Sequence, residues 1–92
     1  MIRKRITCYG RVQGVGFRYR AQHAARGLML TGWVRNESDG SVVMEVQGSE
    51  KQITRLLQMI RQGRYIEIDA MQMKEIPLQE DERGFQVSYS GM

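Results

Sequence analysis

The stretch YGRVQGVGFRYR, residues 9–20, contains the point at which a strand pattern changes to a helical one. Apolar residues at positions 2, 6, 8 and 12 alternate with arginines and a tyrosine, as in a strand with one buried face. From Phe17 to about residue 29, apolar residues recur at helical spacing instead. Gly14 and Gly16 separate the two patterns. The stretch therefore predicts a half-buried strand, a glycine-rich turn and an amphipathic helix.

A hairpin and a second helix follow along the chain. TGWVRNESDGSVVMEVQG, residues 31–48, has alternating apolar residues on both sides of an Asp-Gly pair, which favours a tight turn. SEKQITRLLQMIRQG, residues 49–63, has the spacing of an apolar helical stripe. Ser49 and Gln52 have the spacing of a capping box at its start, and Gly63 stands where a left-handed cap often ends a helix.

The last third of the chain predicts two more strands. Apolar residues at positions 66, 68 and 70 indicate a strand that ends before Pro77, and those at 85, 87 and 89 indicate a short last strand. The order is β-α-β-β-α-β with one extra strand. A single sheet with both helices on one face buries every apolar stripe. With right-handed crossovers this is an α+β, ferredoxin-like split β-α-β sandwich, whose mixed, antiparallel-rich sheet has its first and third strands at the centre. We expect residues 1–92 to form one domain.

The composition excludes several classes of protein. A hydrophobic fraction of 41% is ordinary for a globular chain, and no apolar run approaches the roughly 18 residues of a membrane-spanning helix. A single cysteine excludes an internal disulfide framework and a cysteine-based zinc site, so a cytoplasmic location is expected. The net charge of +4 favours anionic partners, but it does not choose between nucleic acid and a small phosphate compound.

The glycine-rich turn is a candidate anion site. The first N–H groups of a helix lack acceptors and lie at the positive end of its dipole. Gly14 and Gly16 let several N–H groups converge with no Cβ in the way, and Arg18 can hold two phosphate oxygens through its planar guanidinium. The glycine spacing alone favours a plain strand-to-helix turn, with Arg18 as a surface charge. It matches neither G-x-G-x-x-G, because Tyr19 replaces the third glycine, nor a Walker-type loop.

Two longer motifs resemble the signatures of the acylphosphatase family. GRVQGVGFR, residues 10–18, is similar to the first signature, and GWVRNESDGSVVMEVQG, residues 32–48, is similar to the second. Their order and spacing and the length of the chain also match the family. Cys8 stands where the family usually has a branched aliphatic residue. The resemblance implies hydrolysis of a carboxyl–phosphate anhydride to a carboxylate and inorganic phosphate, with no metal and no cofactor.

The resemblance also implies roles for individual residues. Arg18 is implied to be catalytic, and Asn36 is implied to orient the attacking water, although by local rules an asparagine next to an Asp-Gly turn is a turn residue. We expect Arg18 and Asn36 to face each other, since the first and third strands are neighbours and the end of the hairpin can then approach the glycine-rich turn. Glu37 and Asp39 are given no role, because a negative charge beside phosphate lowers affinity. The residues implied to bind the substrate's phosphate are Gln13, Gly14, Val15, Gly16, Phe17 and Arg18.

Two other functions stay open at this point. The main alternative is a non-catalytic RNA- or anion-binding module of the same fold, although Tyr9 is the single aromatic residue at the outward positions of the first and third strands. Acylphosphatase-like domains also occur at the front of larger carbamoyl-transferring maturation proteins, but a stand-alone enzyme is favoured because the chain ends soon after its last strand. The expected partners are a small-molecule acyl phosphate and inorganic phosphate, as product and inhibitor. We expect a monomer that binds neither nucleic acid nor membrane.

Overall fold

Two helices and five strands make up the protein in a computed structural model that describes residues 1–89. In chain order they are β1 (Ile2–Arg11), α1 (Phe17–Gly27), β2 (Thr31–Asn36), β3 (Val42–Gly48), α2 (Glu50–Arg61), β4 (Glu67–Ile76) and β5 (Phe85–Val87). The order is the predicted one, with β5 as the extra strand. Tyr89, which the sequence pattern assigns to the last strand, lies beyond its end.

The strands form one mixed sheet in the order β4-β1-β3-β2-β5. β1 pairs antiparallel with both β3 and β4, β2 pairs antiparallel with β3, and β5 runs parallel to β2 at the edge. β1 and β3 are therefore central among the first four strands. This confirms the predicted ferredoxin-like arrangement, in which the start of α1, the end of β2 and the chain after β5 lie near one another.

The core lies between the sheet and the two helices. Ile6 pairs across strands with Met44, and Val34 pairs with Met44 from the other side, so these three buried side chains share one face of the sheet. The helices cover that face with apolar stripes, because helical residues three and four positions apart lie side by side. The buried helical residues are Phe17, Ala21, Ala24 and Ala25 in α1 and Ile53, Leu56 and Ile60 in α2.

The ends of α2 show one confirmed prediction and one that is wrong. The capping box is present, since the Gln52 N–H donates to Ser49 Oγ and the Ser49 N–H donates to Gln52 Oε1, both at 3.1 Å. Gly63 is not in the left-handed region, so it is not the expected cap. A Cβ at Gly63 would lie 2.5 Å from Ile66 Cδ1, so a larger residue here would have to displace the Ile66 side chain.

A bulge in β4 changes which of its residues face the core. Tyr9 pairs with Ala70 while Gly10 pairs with Ile68, so Asp69 is the extra residue. Ile68 and Met71 pack against the core, and Ala70 is exposed on the other face. The strand itself is confirmed, but the predicted alternation is wrong at Ala70 because a bulge shifts the period of two by one residue.

A buried arginine fixes the loop that leads to β5. Arg3 lies on the face away from the helices, yet it is only 1% exposed. Its guanidinium donates to Glu82 at 2.6 Å and to Glu45 at 3.0 Å, and the hydrogen bond to Glu82 is the main cause that raises the pKa of Arg3 above its usual value. Because charges taken out of water need such partners, residues 77–84 are held over the sheet. β5 then runs beside β2.

Cys8, at the centre of the core, predicts a pH dependence of stability. Burial raises the pKa of its thiol from 9.0 to about 11, against a smaller opposing effect of Arg61. Between these values the folded chain keeps a proton that the unfolded chain has lost, so the free energy of unfolding falls as pH rises. At pH 10 this loss is about 1 kcal/mol relative to pH values well below 9.

The measurement is urea unfolding of the wild type and Cys8→Val at about pH 8 and pH 10. Valine has no ionisable group and a similar size, so the variant shares every other titration with the wild type. We expect the wild type to lose about 1 kcal/mol more than Cys8→Val between the two pH values. Equal losses in the two proteins would show that the thiol does not titrate in this way.

Candidate active site

The loop between β1 and α1 has a backbone that requires glycine at two positions. Gly14 has φ of 72° and Gly16 has φ of 81°, in the left-handed region that residues with a Cβ avoid. An added Cβ would meet no atom within 4 Å at either position, so the dihedral angle sets the requirement. Gly16 is the N-cap of α1 and offers no side-chain cap. The first N–H groups of α1 are therefore left for another acceptor.

A cavity of about 310 Å³ opens beside this loop. Its volume lies at the lower end of the roughly 300–1,000 Å³ of small-molecule sites. The wall is built by the loop, the first turns of α1, the end of β2 and the chain after β5. The lining residues that bear on its chemistry are Gly14, Gly16, Arg18, Tyr19, Asn36 and Tyr89.

Arg18 and Asn36 line this one cavity, from α1 and from the last position of β2. Both side chains are partly buried. The Arg18 guanidinium lies over the ring of Tyr89, with 5.4 Å from Cζ to the ring centroid. Within residues 1–89, neither side chain has a hydrogen bond or an ion pair. A planar cationic side chain from α1 and a neutral amide from β2 thus border the same cavity.

The other residues assigned to the loop occupy different positions. Phe17 lines the cavity and is also a core residue, only 2% exposed. Val15 packs against the core and lines a neighbouring hollow. The Gln13 side chain reaches the hairpin, where its Nε2 donates to the main-chain oxygens of Glu37 and Ser41, both at 2.8 Å. The Gln13 side chain therefore connects the glycine loop to the turn of the hairpin, which begins immediately after Asn36.

Sequence reasoning assigned none of five wall residues to the site, and one of them, Val12, is predicted only as an apolar residue of the first strand. Gln22 lies one helical turn after Arg18, so the four-residue spacing on α1 could have revealed it. Tyr19 follows Arg18 directly, but on sequence grounds it serves only to exclude the G-x-G-x-x-G pattern. Val87 and Tyr89 line the cavity because β5 lies beside β2. No local pattern in the sequence indicates that contact.

The two carboxylates of the hairpin turn, Glu37 and Asp39, are engaged within the hairpin itself. The Asp39 carboxylate accepts bonds from the Ser41 hydroxyl at 2.6 Å and the Ser41 N–H at 2.9 Å, which hold the pKa of Asp39 below its usual value. Glu37 pairs with Arg35 at 3.2 Å. In the part of the chain that the structure describes, no group of three or more His, Cys, Asp and Glu side chains is arranged to hold a metal ion.

Comparison with known proteins places this geometry in a family. The sequence profile described as Acylphosphatase matches residues 4–87. The chain belongs to the acylphosphatase family. The acylphosphatase of Geobacillus thermodenitrificans (strain NG80-2) is 41% identical over 92 residues, which cover 99% of this chain and 98% of that protein.

Solved structures of acylphosphatases have the same fold. The crystal structure of acylphosphatase from Bacillus subtilis matches with a TM-score of 0.88 and 33% identity, covering 97% of this chain and 100% of that one. A full-length HypF in a phosphate- and nucleotide-bound form matches with a TM-score of 0.84 and 30% identity. That match covers 95% of this chain and 12% of HypF.

Membership of the acylphosphatase family confirms the predicted fold class and activity. The chain is an enzyme that hydrolyses acyl phosphates, which are small-molecule substrates. The RNA- or anion-binding alternative is not supported by these relatives. Among residues 1–89, no helix combines the length and the apolar character needed to cross a bilayer.

Proposed function

We propose that hydrolysis of the acyl phosphate takes place in the cavity between the glycine loop and Asn36. The observation that carries the proposal is that the loop, Arg18 and Asn36 line one space of small-ligand size. The phosphoryl oxygens accept hydrogen bonds from main-chain N–H groups of residues 13–18 and from the Arg18 guanidinium. Since these donors are fixed before the substrate arrives, they stabilise charge on the phosphoryl oxygens at little reorganisation cost.

The chemistry of the substrate explains why these residues are sufficient. The leaving carboxylate has a conjugate acid with a pKa of about 4, so its oxygen needs no proton at neutral pH. The bond from phosphorus to the acyl oxygen breaks with its electron pair on the carboxylate, and a new bond forms from phosphorus to the water oxygen. In a loose transition state the water loses its proton late, and the proton ends on an oxygen of the phosphate product, so positioning and charge stabilisation dominate.

In this proposal Asn36 orients the attacking water. A neutral amide can donate one hydrogen bond and accept another, but it cannot take up the proton of the water. Asn36 lies at the end of β2, whereas Arg18 belongs to α1, so the amide and the guanidinium approach the cavity from different elements. That arrangement suits a water held in line with the bond that breaks.

The remaining partner assignments belong to the same proposal. Inorganic phosphate is the product, and it inhibits because it resembles the group that Arg18 and the loop hold. We also propose a cytoplasmic monomer that acts without metal, nucleic acid or membrane. The buried Cys8 thiol, whose pKa is raised to about 11, fits a protein that uses no thiol chemistry.

A hydrolysis assay with benzoyl phosphate tests the proposed function. We expect release of one inorganic phosphate per substrate, at a rate that a chelator does not change. Added phosphate should raise KM and leave kcat unaltered, because phosphate and substrate compete for one site. Sodium chloride at equal ionic strength is the control for salt screening. Absence of phosphate release, or inhibition that lowers kcat without raising KM, would contradict the proposal.

A further inference from the structure

The cavity is larger than the group that the glycine loop is proposed to hold. A PO₃ group and one water contain only five non-hydrogen atoms, whereas the cavity of about 310 Å³ has the size of a small-molecule site. The cavity therefore has room for another part of the substrate, and in an acyl phosphate that part is the acyl group.

Two exposed aromatic side chains line the cavity. Tyr19 is 67% exposed and Tyr89 is 63% exposed, and neither belongs to the buried core. Tyr19 lies against His23, with ring centroids 4.4 Å apart, and Tyr89 lies against the Arg18 guanidinium. Large aromatic surfaces left in water at the rim of a ligand site are suited to contact an apolar part of the ligand.

The position of Tyr89 relates these rings to the reacting group. Its ring centroid is 5.4 Å from Cζ of Arg18, whose guanidinium is proposed to hold the phosphoryl oxygens. In an acyl phosphate a single oxygen atom joins the phosphorus to the acyl carbon. The acyl group must therefore begin within a few ångströms of the phosphoryl group, in the cavity that Tyr19 and Tyr89 help to line.

We propose that Tyr19 and Tyr89 form the surface that binds the acyl group, and that the enzyme accordingly prefers acyl phosphates with an aromatic or extended apolar acyl group. This inference rests on the proposed function, because it takes the phosphoryl position from Arg18. Flat contact with a ring stabilises an aromatic acyl group more than an acetyl group, which has too few atoms to cover either tyrosine. The two tyrosines determine specificity and take no part in the bond-breaking step.

The test is the ratio of kcat/KM for benzoyl phosphate to kcat/KM for acetyl phosphate. Tyr19→Ala and Tyr89→Ala should each lower this ratio about three- to tenfold, the range expected for one lost aromatic contact. Loss of the Tyr89 ring also removes its contact with Arg18, but that effect acts on both substrates and cancels in the ratio. Tyr19→Phe and Tyr89→Phe keep the rings and should keep the ratio.

Tyr65→Ala is the matched control. Tyr65 is 61% exposed and lies against Arg64 at 5.6 Å, as Tyr89 lies against Arg18, but it is not among the residues that line the cavity. Its removal should leave the ratio unchanged. An unchanged ratio in both Tyr19→Ala and Tyr89→Ala, or an equal decrease in Tyr65→Ala, would overturn the inference while the hydrolysis itself stands.

Binding of non-hydrolysable phosphonates separates this inference from the proposed function. The wild type should bind phenylphosphonate more tightly than methylphosphonate, and the difference should shrink in Tyr19→Ala and Tyr89→Ala. Equal affinities in the wild type would overturn the acyl-binding surface alone. If the wild type binds neither phosphonate and hydrolyses neither acyl phosphate, the anion site itself is wrong and the inference fails with it.

Discussion

Arg18→Ala is expected to lower kcat/KM for benzoyl phosphate by at least about 10²–10³-fold, the loss associated with one fixed transition-state donor. The guanidinium supplies a full charge and a planar pair of donors, so the effect should reach or exceed the upper end of this range. Because charge on the phosphoryl oxygens is redistributed in the transition state, kcat as well as KM should change. Steady-state phosphate release over a range of substrate concentrations measures both constants.

The expected loss of activity should occur without loss of stability. Within residues 1–89 the Arg18 side chain has no hydrogen bond or ion pair to another residue, and its contact is with the ring of Tyr89. Its removal should therefore change the free energy of unfolding by no more than about 0.5 kcal/mol, as is usual for surface substitutions. Urea unfolding of the variant checks this directly.

Two further variants separate the charge of Arg18 from its geometry. Arg55→Ala removes the same charge from the exposed face of α2 and should leave kcat/KM almost unchanged, because surface charges act weakly over distance. Arg18→Lys keeps the charge but loses the planar fork, and it should recover only part of the activity. A loss below tenfold in Arg18→Ala, or an equal loss in Arg55→Ala, would rule out the proposed role.

The elements of the fold could be predicted because their signals are local. The alternation in β1, the capping box of Ser49 and Gln52 and the Asp-Gly turn each involve residues a few positions apart. Once these elements are known, burial of the apolar stripes and right-handed crossovers leave few arrangements. The central positions of β1 and β3 follow from these rules rather than from any single residue.

The features that sequence reasoning missed depend on contacts between distant parts of the chain. Arg3 is one of the arginines that alternate with the apolar residues of β1, a pattern that predicts exposure, and its burial depends on Glu82, which lies 79 residues later. The bulge at Asp69 follows from the pairing of β4 with β1, so the alternation of β4 alone could not reveal it. Both features arise when a loop or an edge strand adapts to a partner that local periodicity does not identify.

The candidate site shows the same division between local and distant contacts. The glycines and Arg18 are read from one short stretch, because the turn and the helix start are local. Gln13 is predicted to bind phosphate through its main-chain N–H, whereas the bonds of its side chain to the hairpin turn after Asn36 could not be read from the motif. Tyr89 lines the cavity because the bond of Arg3 to Glu82 holds the preceding loop and the pairing of β5 with β2 brings the chain beside β2. The acyl-binding surface could therefore not be predicted from the motifs.

Asn36→Ala is expected to lower kcat about 10²-fold, because the attacking water is then no longer held in line with the bond that breaks. The inhibition constant of inorganic phosphate should change little, since Arg18 and the loop still hold the phosphoryl group. This separation of turnover from phosphate affinity distinguishes an orienting residue from a binding residue. The measurements are kcat for benzoyl phosphate and competitive inhibition by phosphate, on the same preparations.

Gln22→Ala provides the matched control, because Gln22 is a second side-chain amide in the wall of the same cavity. If any nearby amide can orient the water, both variants should lose similar activity; if the end of β2 is the required position, only Asn36→Ala should lose it. Asn36→Asp should not restore activity, since a carboxylate beside the phosphoryl oxygens repels them and raises KM. An Asn36→Ala enzyme with unchanged kcat and weakened phosphate inhibition would place the amide on the phosphoryl group instead of on the water.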